Sequence, residues 1–166
     1  MGRLPATFGG LAIKERIPYE LSGELNVTSA MQPLPYPSAT FQNTQAKVFE
    51  GHRLIPRCIA LDADGVAVDD QPDQELMLLT VRAAITDLGL TQPFTKRATL
   101  LGNLTKGTAE QTWEWADPHY LPNNAQIEIS LDTLTFPAGW AGDGIVALKV
   151  CIVIEGFVLV LAPPQA

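Results

Sequence analysis

The sequence predicts an all-β protein built as an antiparallel β-sandwich, and three observations carry that prediction. Apolar residues make up 46% of the 166-residue chain and charged residues 17%, a balance that closes a core in one globular domain without staples. Two runs alternate with period two. Ile127, Ile129 and Leu131 stand against Gln126, Glu128, Ser130 and Asp132, and the last run puts Val146, Leu148, Val150, Ile152, Ile154, Val158 and Val160 on one face. Turn residues separate the runs, with Asp64-Gly65 and Asp143-Gly144 as hairpin signals. Two sheets, each burying one face, satisfy this pattern.

Residues 1–43 read as an extended, proline-rich arm ahead of a sandwich domain at 44–166. Pro33, Pro35 and Pro37 follow Pro5 and Pro18, and each proline fixes φ and removes a backbone donor. The arm nevertheless carries Leu11, Ile13, Ile17, Tyr19, Leu21, Leu25, Val27, Met31, Leu34, Tyr36 and Phe41. Those side chains need a surface, either their own domain or a neighbour. Tyr19, Leu25, Tyr36 and Phe41 are the candidate partner contacts.

From residue 44 onward, AKVFEGHRLIPRCIALD reads as a long strand, with Gly51 marking a bulge and Pro56 an edge or bulge. The stretch at 72–88 satisfies two periods. Met77, Leu79, Val81, Ala83 and Ile85 alternate as in a strand, while Pro72, the nearby acids and Gly89 describe a helix. The alternating polar residues of LLTVRAAIT favour the strand. Residues 94–110 read as loop with one helical turn at ATLLGNL, TWEW as a short strand and DPHYLPNN as a turn. The final strand spans about 145–161, with a bulge or bend at Gly156. The expected core holds Trp115, Ile127, Ile129, Leu131, Leu148, Val150, Ile152 and Ile154.

Catalytic signals are sparse. The formal net charge of −7 and the 11 scattered basic residues speak against nucleic-acid binding. His52 and His119 lie far apart and outside any metal-ligand spacing. Cys58 and Cys151 sit in apolar runs and read as buried, reduced side chains. In DADG, Gly65 comes too early for a calcium loop and Val66 stands where a ligand belongs. Lys149 and Glu155 interrupt the longest apolar run, whose β-branched content marks a strand and not a membrane span. MGRLPATFGG has no apolar leader core. The expectation is a binding or assembly module, not an enzyme, with no catalytic residue, metal or cofactor. Trp113, Trp115, Tyr120 and Trp140, beside Asp117, Asn123 and Asn124, offer two roles: core anchors of a sandwich, or a sugar-stacking surface in an alternative carbohydrate-binding module.

Two segments carry a family resemblance: FEGHRLIPRCIALDADG, and TWEWADPHYLPNNAQIEISLDTL followed by IVALKVCIVIEGFVLV. A W-x-W strand, a P-x-Y-L-P turn, an alternating strand and a long apolar strand with an E-G-F step resemble the last strands of jelly-roll virion proteins. Across residues 49–160 the chain is similar to the decoration, or cement, proteins of tailed-bacteriophage heads. The resemblance implies a jelly roll, often a homotrimer, that binds the major capsid protein on the outside of the shell and reinforces it. It also implies a virion location after assembly in the host bacterial cytoplasm.

Overall fold

In the computed structural model, which describes residues 5–28, 38–89, 92–93, 98–105, 112–134 and 136–163, two antiparallel sheets face each other. In chain order the elements are β1 (Thr7–Phe8), β2 (Leu11–Thr28), β3 (Ser38–Gln42), β4 (Phe49–Leu61), α1 (Gln74–Thr80), β5 (Val81–Asp87) and β6 (Gln92–Pro93). They continue with β7 (Thr99–Leu100), α2 (Leu101–Leu104), β8 (Trp113–Leu121), β9 (Gln126–Leu134), a 3-10 turn (Ala138–Ala141) and β10 (Ala147–Leu161). One sheet has the order β1-β2-β10-β4-β8 and the other β3-β9-β5-β6, with β7 also paired to β5.

The pairs are nested. β2 pairs with β10, β3 with β9, β4 with β8 and β5 with β7, all antiparallel. The first long strand thus meets the last, and each later strand meets its counterpart counted from the other end. One long hairpin folded over on itself in this way is a jelly roll.

The described part of residues 1–43 is woven into both sheets instead of forming a separate arm. β2 runs beside β10 from Ala147↔Thr28 to Leu161↔Ile13, and β3 runs beside β9 from Ser38↔Ser130 to Gln42↔Gln126. The physical reason is the spacing of the apolar residues. Tyr19, Leu21, Leu25 and Val27 occupy odd positions and turn inward, while Glu20, Ser22, Glu24 and Asn26 face solvent. Pro18 is tolerated because β2 lies near the edge, where β1 covers only Leu11 and Ala12. The expected boundary at 43 falls on a buried knot. Asn43 is 0% exposed. Its Nδ2 donates to the carbonyls of Lys47, Leu121 and Pro122, and its Oδ1 accepts from the Gln45 N–H. Pro33, Pro35, Pro37, Met31, Leu34 and Tyr36 lie outside the described residues.

The strand expected across 72–88 is half helix and half strand. Asp73 caps α1, its Oδ1 accepting from the Glu75 N–H at 2.8 Å. Met77 and Leu78 are then fully buried on adjacent helical positions. From Val81 the alternation takes over, and Val81, Ala83, Ile85 and Asp87 all point inward. The helical turn expected at ATLLGNL is α2. WEWADPHYL (Trp113–Leu121) is one strand, longer than the expected TWEW, and the turn falls at 122–125, where Asn124 takes a positive φ of 63°.

Pro56 sits mid-strand in β4 without loss, because β8 pairs with β4 only as far as Leu54. Beyond that point two glutamine side chains act as a substitute strand. Gln74 accepts from the Cys58 N–H at 3.0 Å and donates to the Cys58 carbonyl. Gln71 accepts from the Ala60 N–H at 2.7 Å and donates to the Ala60 carbonyl at 2.9 Å. Residues 56, 58 and 60 share that edge by alternation. The donor that proline lacks is therefore one no neighbouring strand requires, and the glutamines mask an edge that would otherwise invite pairing.

Ile127, Ile129, Leu148, Val150, Ile152 and Ile154 are all fully buried between the sheets, with Leu131 at 6% exposure. Trp115 packs on this core from a half-buried position. Val146 departs from expectation: it precedes β10 and is 38% exposed, while neighbouring Ile145 is buried. The bulge at Gly156 is present as a register shift against β4, and a second shift between Gly51 and Arg53 is matched to β8.

Candidate functional site

A heavily bonded carboxylate lies on the outer face of the β1-β2-β10-β4-β8 sheet. Phe49 and Leu121 point into the core, so their chain neighbours Glu50 and Tyr120, paired across β4 and β8, point out. Glu50 is nevertheless 0% exposed, because other side chains roof it over. Arg16 on β2 donates from Nε to Oε1 at 2.9 Å and from Nη2 to Oε2 at 3.2 Å. His52 Nε2 lies 2.8 Å from Oε1, and the Tyr120 hydroxyl donates to Oε2 at 3.2 Å. Phe8 on β1 packs against Tyr120 with ring centroids 4.7 Å apart and planes tilted by 41°, and Arg16 also donates to the Pro5 carbonyl.

Burial alone would raise the Glu50 carboxyl. The hydrogen bonds and charge of Arg16, with the hydrogen bond from His52, outweigh it and hold the group below the ordinary carboxylate value. The same hydrogen bond raises the Arg16 guanidinium. Burial, and then the nearby Glu50 charge, raise the Tyr120 phenol. A carboxylate accepting from three side chains has its lone pairs engaged. The cluster therefore works as a clamp, pinning β1 and β2 across β10 onto β4.

A second carboxylate bridges the two sheets. Asp87, at the end of β5, points inward and is 1% exposed. His119 Nε2 on β8 lies 2.9 Å from its Oδ2, and the Gly89 N–H donates to Oδ1 at 2.9 Å. Trp115 lies 5.9 Å from the His119 ring, and Trp113 stands edge-on to Trp115 at 6.0 Å.

The four aromatic residues expected to line a sugar do not share a surface. Trp113 and Trp115 pack against the core on the inner side of β8, Tyr120 faces outward onto Glu50, and Trp140 sits in the 3-10 turn against Phe136 at only 5% exposure. Stacking a sugar needs an open ring face, which Trp140 lacks. Of the expected partner contacts, Tyr19, Leu25 and Phe41 rest half-buried on the core of their own chain, and Tyr36 is outside the described residues. Tyr19 meets Phe49 edge-on at 6.0 Å.

Cys58 and Cys151 are both free. Burial pushes the Cys58 thiol up to about 12, with the neighbouring Cys151 adding to it. Burial and then Glu24 raise Cys151 as well. Among the described residues no three His, Cys, Asp or Glu side chains converge to hold a metal ion. Among the described residues no helix is long and apolar enough to cross a membrane. Glu50, Asp87 and Asn43 were not legible as site-forming residues. The available signal was a charged or amide residue beside a strand apolar on its other face.

The fold and its clamps define a jelly-roll β-sandwich protein. No family model matches the chain, and no curated protein matches it. Among solved structures, the cyanophage Pam1 capsid asymmetric unit aligns over 95% of this chain and 94% of that chain, at 12% identity and a TM-score of 0.48.

Proposed function

We propose that the chain is a structural virion protein that binds the outer surface of a tailed-bacteriophage head and stabilises the shell, without turnover of its own. The observation that supports this reading is the nested jelly roll with a filled interior. Phe49, Leu54, Ile85, Ile127, Ile129 and Ile152 occupy the space between the sheets at 0% exposure, so the outer faces, edges and end loops are what the molecule has to work with. The resemblance of the W-x-W to E-G-F segment to head decoration proteins points the same way. On this reading the partner is the major capsid protein and the protein acts as a homotrimer. Stable contacts of this kind bury on the order of 1,200–2,000 Å², and a trimer multiplies them through avidity.

The test is addition of the purified chain to heads of its own phage assembled without it, followed by sedimentation. The expected result is saturable co-sedimentation at a fixed ratio to capsid subunits. A folded chain that stays in the supernatant at every ratio contradicts the proposal.

A further inference from the structure

The outer face of the β1-β2-β10-β4-β8 sheet carries charge in columns, with acid on one side of β10 and base on the other. Along β10 the even positions Val150, Ile152 and Ile154 are fully buried, so the odd positions face outward. Strand register then sets three outward rows across β2, β10 and β4. One is Glu20, Glu155 and Arg53, the next Ser22, Val153 and Ile55, and the third Glu24, Cys151 and Arg57. The two flanking rows each put a glutamate on β2 and an arginine on β4, about 10 Å apart with β10 between them. The middle row has no charge. Glu20, Ser22 and Glu24 are exposed, and Val153, Cys151, Arg53 and Arg57 are half-buried.

This pattern matches itself under one of the two half-turns that stack a sheet on its own copy. A half-turn about an axis parallel to β10, above the face, keeps each row at its height and exchanges the β2 side with the β4 side. Glu20 then stands over Arg53 of the second copy and Glu24 over Arg57, and symmetry makes each contact twice. Val153 meets its own copy on the axis. A half-turn about an axis across the strands lays β2 on β2 and β4 on β4, so that Glu20 meets Glu24 and Arg53 meets Arg57. Like charges exclude that second packing.

Sheets packed face to face cross at about 30°, which moves the charged positions by about 4 Å, a distance that flexible Glu and Arg side chains take up. Charges on the axis are compensated within their own chain. Glu155 pairs with Arg53, and Lys149 Nζ lies 3.8 Å from Glu24 Oε2. The strip from Lys149 to Phe157 is about 27 Å long and, across β2, β10, β4 and β8, about 20 Å wide. Two such strips bury about 1,000 Å², the floor for a specific contact.

We propose that this face is a contact between two copies of the chain, with β10 running in the same direction in both and Glu20–Arg53 and Glu24–Arg57 pairs formed reciprocally. The inference goes beyond the proposed function. A two-fold contact lies outside a three-fold interface, so on a shell it joins one trimer to the next.

Sedimentation of the full chain over a range of concentrations measures the association. The mass of the smallest species is expected to double as concentration rises, and the association to weaken with salt. Glu24→Arg and Arg57→Glu each turn two attractive contacts into repulsive ones and are each expected to weaken association at least about tenfold. Mixed in equal amounts, the two variants are expected to associate again, because each supplies the charge the other lacks. The double variant Glu24→Arg/Arg57→Glu regains association for the same reason. Glu20→Gln/Glu24→Gln, at two exposed positions, removes charge without reversing it and weakens association several-fold. Asp70→Arg, in the β4–α1 connection, keeps the original association. A chain that does not associate at low salt, full association in Glu24→Arg, Arg57→Glu or Glu20→Gln/Glu24→Gln, no gain on mixing or in the double variant, or an equal loss in Asp70→Arg overturns the contact. The measurement contains no shells, so a failure of shell binding leaves its result standing.

Discussion

Arg16 on β2 reaches across the central strand β10 to hold Glu50 on β4, with its fork closing on both carboxylate oxygens at 2.9 and 3.2 Å. The pair joins residues 34 positions apart in sequence and lies on the outer face, away from the apolar interior. It converts a two-strand register into a three-strand one, because Arg16 pairs with Leu159 and Glu50 with Phe157 along β10.

Removing one partner of this pair is expected to cost more than removing both. Arg16→Met leaves a buried carboxylate supported only by His52 and Tyr120, at a cost of about 3 kcal/mol, the lower end for breaking a buried pair. The double variant Arg16→Met/Glu50→Gln is expected to lose less than Arg16→Met alone, and so less than the sum of the two single variants. Urea denaturation of all four proteins measures the cycle, and strict additivity would show that the pair is not coupled.

Stability is expected to fall with acid partly through Glu50. Its carboxyl is held below the ordinary value in the folded chain, so the folded state binds fewer protons than the unfolded state in that window. The contribution is complete above the unfolded carboxylate value and is lost as pH falls through the lowered folded value. Glu50→Gln is therefore expected to be less stable at neutral pH and to flatten the acid limb of stability against pH. A parallel limb in the variant would assign the acid sensitivity to other carboxylates.

Two glycines separate a soft obstacle from a hard one. A side chain at Gly156 would overlap the Glu50 carbonyl, which is backbone, whereas one at Gly23 would overlap the Phe41 ring. Gly156→Ala is expected to lose about 3 kcal/mol and Gly23→Ala about 1 kcal/mol, with Phe41→Leu partly rescuing only the second. Thermal melts of the three variants check this, and rescue of neither would place the strain elsewhere.

Truncation tests how deeply the N-terminal region is embedded. Deleting 1–43 removes β1, β2 and β3, two strands from one sheet and one from the other, and strips β10 of a partner along its whole length. The expected product shows no cooperative unfolding transition. A truncated chain that melts cooperatively near the full-length temperature would mean that β4 to β10 close a core alone.

How much of this was readable depended on whether local and tertiary demands agreed. β9 and β10 were legible because period-two alternation coincides with burial, and Gly156 because a glycine in a strand marks a bulge. β2 was missed although its apolar residues already stood at odd positions, because the later prolines suggested an extended arm and β2 needs β10, more than 100 residues away, to become a strand. In 72–88, helix and strand periods each fitted half of the segment, and the N-cap at Asp73 decided the first half. The clamps at Glu50 and Asp87 depend on partners from other strands, so no local pattern announces them. The four aromatic residues looked like a group in sequence, yet strand alternation sends Tyr120 to the opposite face from Trp113 and Trp115.

The most direct test of the account is electron cryomicroscopy of heads of the cognate phage, assembled with and without the chain. The account predicts added density of jelly-roll shape on the outer surface at symmetry-related positions, present only when the chain is supplied. Identical maps from the two preparations, or density confined to the inside of the shell, would contradict it.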